Sequence, residues 1–188
     1  MKNKQRKKIK IVANQIQVFE AFVNEINRES DRAAVILGTS KLEDLLYQLL
    51  NKYFISEPPN KSELFDGTAP LSTFSSKINI CYRLGIIDKE FKKLLNVIKD
   101  IRNSFAHEVQ TPKLDSGPHR DRIKEITRAL EHYYLFSRVK KTYFNNKKEI
   151  IADFFAAIVI MSVRLETISM KINTLTGKSA FSVFAKKG

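Results

Sequence analysis

The chain has 188 residues, 43% hydrophobic and 28% charged, with a formal net charge of +13. That balance excludes a disordered chain and leaves room for one domain with a proper core. A lone cysteine, Cys81, excludes an intrachain disulfide and a cysteine-based zinc cluster and fits a reducing, cytoplasmic setting, while six Gly and five Pro leave few turns.

Residues 1–10 form a basic arm of Lys2, Lys4, Arg6, Lys7, Lys8 and Lys10 with no acid, suited to phosphate contacts without sequence choice. Over 11–28, Val12, Ile16, Phe19, Val23 and Ile26 recur at helical spacing. Ser30 caps a second predicted helix that runs to about Phe54, with Ala34, Leu37 or Gly38, Leu42, Leu45, Leu46, Leu49 and Tyr53 inward. Gly38 inside it costs about 1 kcal/mol against alanine, which predicts a close approach of another backbone. Ser56 to Pro70 is a loop, with the Leu64-Phe65 pair expected against the core. A third helix is predicted from Ser72 to Leu84 with Phe74, Ile78, a buried Cys81 and Leu84 inward, closed by Gly85. Asp88 caps a fourth, with Phe91, Leu94, Leu95, Ile98, Ile101 and Phe105 on one face.

A second loop spans Glu108 to Pro118. A fifth helix is predicted over His119 to Phe136, with Ile123, Ile126, Leu130 and Tyr133 or Tyr134 inward. Asn146 is the expected cap of a last helix reaching about Leu175. The chain thus reads as a basic arm (1–10), one all-α domain (11–176) built as a compact bundle of five to six helices, and a tail (177–188) whose Phe181 and Phe184 suit docking or a partner interface.

The net charge makes polyanions the natural partners: RNA, DNA or an anionic membrane surface. The stretch 138–148 concentrates cations and aromatics without an acid, and Lys140, Lys141, Tyr143, Lys147 and Lys148 are its candidate RNA-binding residues. A solvated lysine face over buried aromatics is the plainer alternative. No membrane partner is expected, since the most apolar run, 150–163, holds Asp153 and is shorter than the roughly 20 residues of a span. His119 and His132 read as surface or helix-side residues, and with no HxxxH or HxH spacing neither a metal site nor a cofactor is expected.

The end of the fourth helix carries the chemistry: Arg102-Asn103-Ser104-Phe105-Ala106-His107. Arginine is a permanently charged bidentate donor for phosphate oxygens, and histidine exchanges protons near neutrality. Together they suit metal-free cleavage at a ribose phosphate, with Asn103 orienting phosphate or imidazole. On a straight helix, however, Arg102 and His107 lie about 140° apart around the axis and about 7.5 Å apart along it. One small ligand is gripped by both only if the helix loosens at its end or two copies meet across a two-fold axis. A helix end also attracts Arg, Asn and His for structural reasons alone. Glu43 and Asp44 on the second helix could buffer either residue, but a solvated acid pair is the expectation.

The six-residue stretch resembles the Arg-x4-His signature of HEPN domains, all-α domains of which many dimerise and cut RNA without metal. The resemblance implies an endoribonuclease, a toxin or defence effector, with Arg102 on the scissile phosphate, His107 as acid/base and Asn103 assisting. It also implies a homodimer and a partner such as an antitoxin. HEPN toxins silenced by adenylylation carry Tyr two residues after the His; Val109 stands there, so that control is not expected. A longer stretch resembles the mannitol operon repressor (MltR-type) family: Asp31-Arg32-Ala33-Ala34, Leu42-Glu43-Asp44-Leu45-Leu46, Leu64 through Ile78 and Leu84-Gly85-Ile86-Ile87. That likeness implies a non-catalytic regulator acting by protein or nucleic-acid contact. Plain nucleic-acid binding through the arm and the 138–148 patch is a third reading.

Overall fold

The structure, a computed structural model, describes residues 17–55, 64–108 and 112–176, and all regular structure among them is helical. The elements are α1 (17–28), α2 (Asp31–Tyr53), α3 (Phe74–Arg83), α4 (Lys89–His107), α5 (Gly117–Leu130), α6 (Tyr134–Tyr143) and α7 (Glu149–Lys171). The basic arm, Val109 and the tail with Phe181 and Phe184 lie outside the described residues.

Local chemistry accounts for several boundaries. The Ser30 hydroxyl accepts from the Ala33 N–H at 3.3 Å and Asp88 Oδ1 from the Phe91 N–H at 2.8 Å, so α2 and α4 begin at capped ends. Thr73 and Ser76 form a reciprocal capping box that starts α3. Gly85, at φ +69°, ends it: the Ile86 N–H reaches the Cys81 carbonyl at 2.9 Å and the Gly85 N–H that of Tyr82 at 3.0 Å, a Schellman closure.

The predicted fifth helix is two helices, so the described residues hold seven rather than five or six. No Gly or Pro breaks it; the change of buried face does. α5 buries His119, Ile123, Ile126 and Leu130. Continued, that stripe would bury Tyr133 or Tyr134, then Ser137 and Lys141. The chain instead turns at 131–133 and restarts so that Phe136 and Val139 face inward. Tyr133 and Tyr134, one of them expected inside, are 51% and 74% exposed. Asn146 does not cap α7; its N-cap is Lys148, without a side-chain cap bond. Helix α7 stops at Lys171, and the extended exit folds back on α2, where the Leu175 N–H meets the Tyr53 carbonyl at 2.8 Å and Thr174 Oγ1 the Lys52 carbonyl at 2.9 Å.

Helices α2 and α7 pack along each other at the centre, with α3 and α4 against α2 and α5 and α6 against α7. Gly38 sits at this contact. A Cβ there would lie 3.1 Å from Ile158 Cγ2 and 3.2 Å from Ile26 Cδ1, so side chains, not another backbone, explain the glycine. Phe65 plugs the core edge-on to Tyr47, ring centres 5.0 Å apart, while its neighbour Leu64 stays 38% exposed.

Candidate functional site at the end of α4

The first turns of two helices hold the end of α4. The first turn of α2 supplies Arg32, whose guanidinium donates to the Glu108 carbonyl at 2.7 Å, and Asp31, whose Oδ2 accepts from the Leu114 N–H at 3.1 Å. The first turn of α5 supplies His119. Its ring packs on Phe105 with centres 4.9 Å apart, its Nδ1 faces the Lys113 carbonyl at 3.3 Å, and its Nε2 is 4.0 Å from Glu108 Oε1. His119 is therefore buried, not a surface residue: it closes the loop after α4 over Phe105. Buried Pro112 and Leu114 complete that closure.

On this fixed end Arg102 and Asn103 are half-buried and His107 is exposed in the last turn. The Arg102 guanidinium donates to Asn103 Oδ1 at 3.1 Å. His107 makes no hydrogen bond or ion pair among the described residues, and its place at the helix C-terminus is favourable for a cation. The helix keeps its hydrogen bonding to the end, the Glu108 N–H reaching the Ser104 carbonyl at 3.0 Å, so α4 does not loosen to bring Arg102 and His107 together. Within one chain the motif offers two separate groups: a guanidinium bonded through one N–H to its neighbour's amide oxygen, and a lone imidazole.

Neither Glu43 nor Asp44 serves that pair, and Glu43 is not a solvated acid. It binds Lys77 at 2.9 Å, and Lys77, only 5% exposed, also donates to the Ser72 carbonyl at 2.8 Å. The long stretch that resembles MltR proteins is thus largely a structural lock. Phe65 and Lys77 fasten the loop before α3 to α2, and Asp31 and Arg32 fasten the loop after α4.

The candidate RNA-binding residues are mostly engaged inside the molecule. Lys140 binds Asp153 at 2.7 Å and Glu149 at 3.4 Å. Its burial works against the charge, but Asp153 and Glu149 together outweigh it and the lysine's pKa is raised. Lys148 pairs with Asp115 at 2.6 Å; that bond raises the lysine and lowers the carboxyl. Lys147 lies over the Phe155 ring at 5.7 Å, and Tyr143 packs on Phe19 with ring centres 5.9 Å apart. Lys141 alone of the five is exposed without such a contact among the described residues.

Among the described residues, two grooves lie elsewhere. A groove of about 540 Å³ runs between α4, α5 and α7, floored by Phe91, Leu94, Ile160 and Met161 and rimmed by Tyr133, Tyr134 and Leu135. A second, of about 340 Å³, lies by Tyr53, Ile168 and Ile172, and both are lined by Arg164 and Thr167. Among the described residues no group of three His, Cys, Asp or Glu is placed to hold a metal ion, and no helix is long and apolar enough to cross a membrane.

No protein-family model and no curated protein matches the sequence. Solved structures do match the fold. The chain of MtlR in the MtlR–HPr complex from Escherichia coli superposes with a TM-score of 0.57 at 15% identity, covering 77% of this chain and 98% of that one. A possible transcriptional regulator, YggD from Shigella flexneri, gives 0.57 at 14% identity, covering 82% and 96%. At such identity the likeness is one of fold: an all-α bundle of the MtlR kind.

Proposed function

We propose that this chain is a regulatory protein of the MtlR kind that works by contact with another protein and does not cut RNA. The observation that carries this reading is the separation of the motif. Arg102 is bonded to Asn103, His107 stands alone on the last turn, and neither lines the grooves beside α7. A phosphodiester needs a phosphate clamp and a proton-transfer group on one scissile linkage. The fold likeness supports the reading, since one neighbour is captured in complex with the protein HPr and the other is described as a possible transcriptional regulator. The pairing of Lys140 with the buried Asp153 also weakens the case for RNA at 138–148. A cytoplasmic setting fits the buried free thiol of Cys81.

The test is complementation in cells lacking the gene, read as the transcripts that change. His107→Ala and Arg102→Ala should each restore the wild-type pattern. Loss of complementation by either, with the protein folded and at normal abundance, would overturn the reading.

One observation favours a second reading. Arg102 and His107 are both accessible on a rigidly held helix end, so a two-fold pairing of α4 ends would bring two Arg/His sets into one cleft. That is the HEPN-type homodimeric endoribonuclease, with an antitoxin-like partner. It requires that dilution to monomer abolish RNA cleavage.

A further inference from the structure

The groove of about 540 Å³ between α4 and α7 carries two charges that find nothing inside the chain. Glu90 on the first turn of α4 and Arg164 on α7 both line it, and both are exposed. Neither side chain makes a hydrogen bond or an ion pair among the described residues, in contrast to the paired Lys77, Lys140 and Lys148. They do not meet each other, for α4 and α7 are separate walls. Each packs on α2 and on α5, and Ala129 and Leu130 in the last turn of α5 join them.

Apolar surface gathers at the same place. Tyr133, Tyr134 and Leu135 are consecutive, rim the groove and are each more than half exposed. They leave about 350 Å² accessible, a patch of the size that marks an interaction site. Whatever covers this groove must bring apolar side chains to that corner, a cation to Glu90 and an anion to Arg164. A second copy of the chain brings all three. The charges also choose the symmetry. A two-fold axis running along the groove exchanges its walls, so Glu90 of each copy faces Arg164 of the other and both pairs form. An axis across the groove would set glutamate on glutamate and arginine on arginine. With the axis along the groove, the two corners bury about 700 Å² between them, more than half of what the smallest stable interfaces need, and the groove walls supply the remainder.

We propose that this groove is the interface of a two-fold dimer of the chain, held by reciprocal Glu90–Arg164 pairs around the Tyr133–Leu135 corners. This goes beyond the regulatory reading, which needs no particular assembly. It also differs from a pairing of α4 ends. His107 lies about 25 Å further along α4 than Glu90, so the contact is at the opposite end of that helix from the Arg/His motif.

Analytical sedimentation of the full-length chain at physiological salt tests it. The wild type should pass from monomer to dimer at micromolar concentration. Glu90→Arg and Arg164→Glu each set like charges in both pairs and should raise the dissociation constant at least about tenfold. Both positions are exposed, and circular dichroism checks that each variant folds as the wild type does. Mixed one to one, the two variants should form a heterodimer with close to wild-type affinity, because each reversed charge then faces its opposite. Tyr134→Ser leaves every charge in place and should weaken the dimer by a similar factor, while His107→Ala should leave it unchanged. A wild type that stays monomeric to about 100 μM would overturn the proposal. So would a dimer indifferent to both charge reversals or to Tyr134→Ser, folded variants that do not recover on mixing, or a dimer lost with His107→Ala, which would move the contact to the α4 ends. Assembly is read here without reference to transcripts, so the result stands or falls separately from the complementation test.

Discussion

Replacing Lys140 by methionine separates a structural lysine from an RNA-binding one. In the structure its ammonium is 2.7 Å from Asp153, whose side chain is 7% exposed, while Lys140 itself is 27% exposed. Removing one partner of a fully buried pair costs about 3–5 kcal/mol, because a charge is left desolvated and unpaired. Water reaches Lys140, and Asp153 lies near a helix start, so the cost falls at or just below the low end of that range, about 2–3 kcal/mol. For a chain of this size that is a fall in Tm of roughly 5–10 °C. Urea unfolding followed by far-ultraviolet circular dichroism should show the lower midpoint with an unchanged slope. Lys140→Met with Asp153→Leu should recover most of the loss, since an apolar pair of similar volume replaces the ion pair. An RNA phosphate contact predicts something else: near-wild-type stability and a log–log salt slope of RNA binding lower by about one. That result would refute the structural assignment.

Other outcomes follow from the packing. Gly38→Ala should change stability by less than about 1 kcal/mol, because the gain in helix propensity offsets the push on Ile158 and Ile26, whereas Gly38→Leu should cost at least about 2 kcal/mol in the same urea titration. Phe65→Ala should cost about 3 kcal/mol, against about 0.5 or less for the exposed neighbouring change Leu64→Ala. The Asp115–Lys148 pair acts at both ends of the pH scale. The Asp115 carboxyl is lowered by its bond from Lys148, so its contribution is present above the ordinary carboxylate pKa of about 3.9 and lost as pH falls through its lower folded value. Lys148 is raised above 10.5 by the same bond, so its contribution is present below that pH and lost as pH rises through its higher folded value. The stability gap between wild type and Asp115→Asn should therefore shrink at both extremes; a constant gap in acid and base melts would contradict the pairing.

The sequence disclosed what local chemistry decides. Ser30, Asp88 and Gly85 mark helix ends because a cap or a left-handed residue acts on its own neighbours. The relation between Arg102 and His107 was readable too, since helical spacing alone sets them on different sides of α4. Where long-range packing decides, the pattern was silent. Residues 131–133 have no helix breaker; the split between α5 and α6 comes from which side chains α7 accepts. The Lys140–Asp153 pair joins residues thirteen positions apart across a turn, so in sequence the lysine looks like part of a solvated basic run. His119 gives no local sign that Phe105 lies beneath its ring. The run from Leu64 to Ile78 was the strongest pointer to the fold, and its physical role is to close α3 onto α2 through Phe65 and Lys77.

Incubation of the purified protein with RNA in EDTA, with Arg102→Ala and His107→Ala alongside the wild type, tests the central claim most directly. With the guanidinium bonded to Asn103 and α4 helical to its end, so that His107 sits on a different side of the helix from Arg102, no RNA cleavage should depend on either residue. Metal-independent cutting by the wild type that each single substitution abolishes, in proteins that remain folded, would contradict the account.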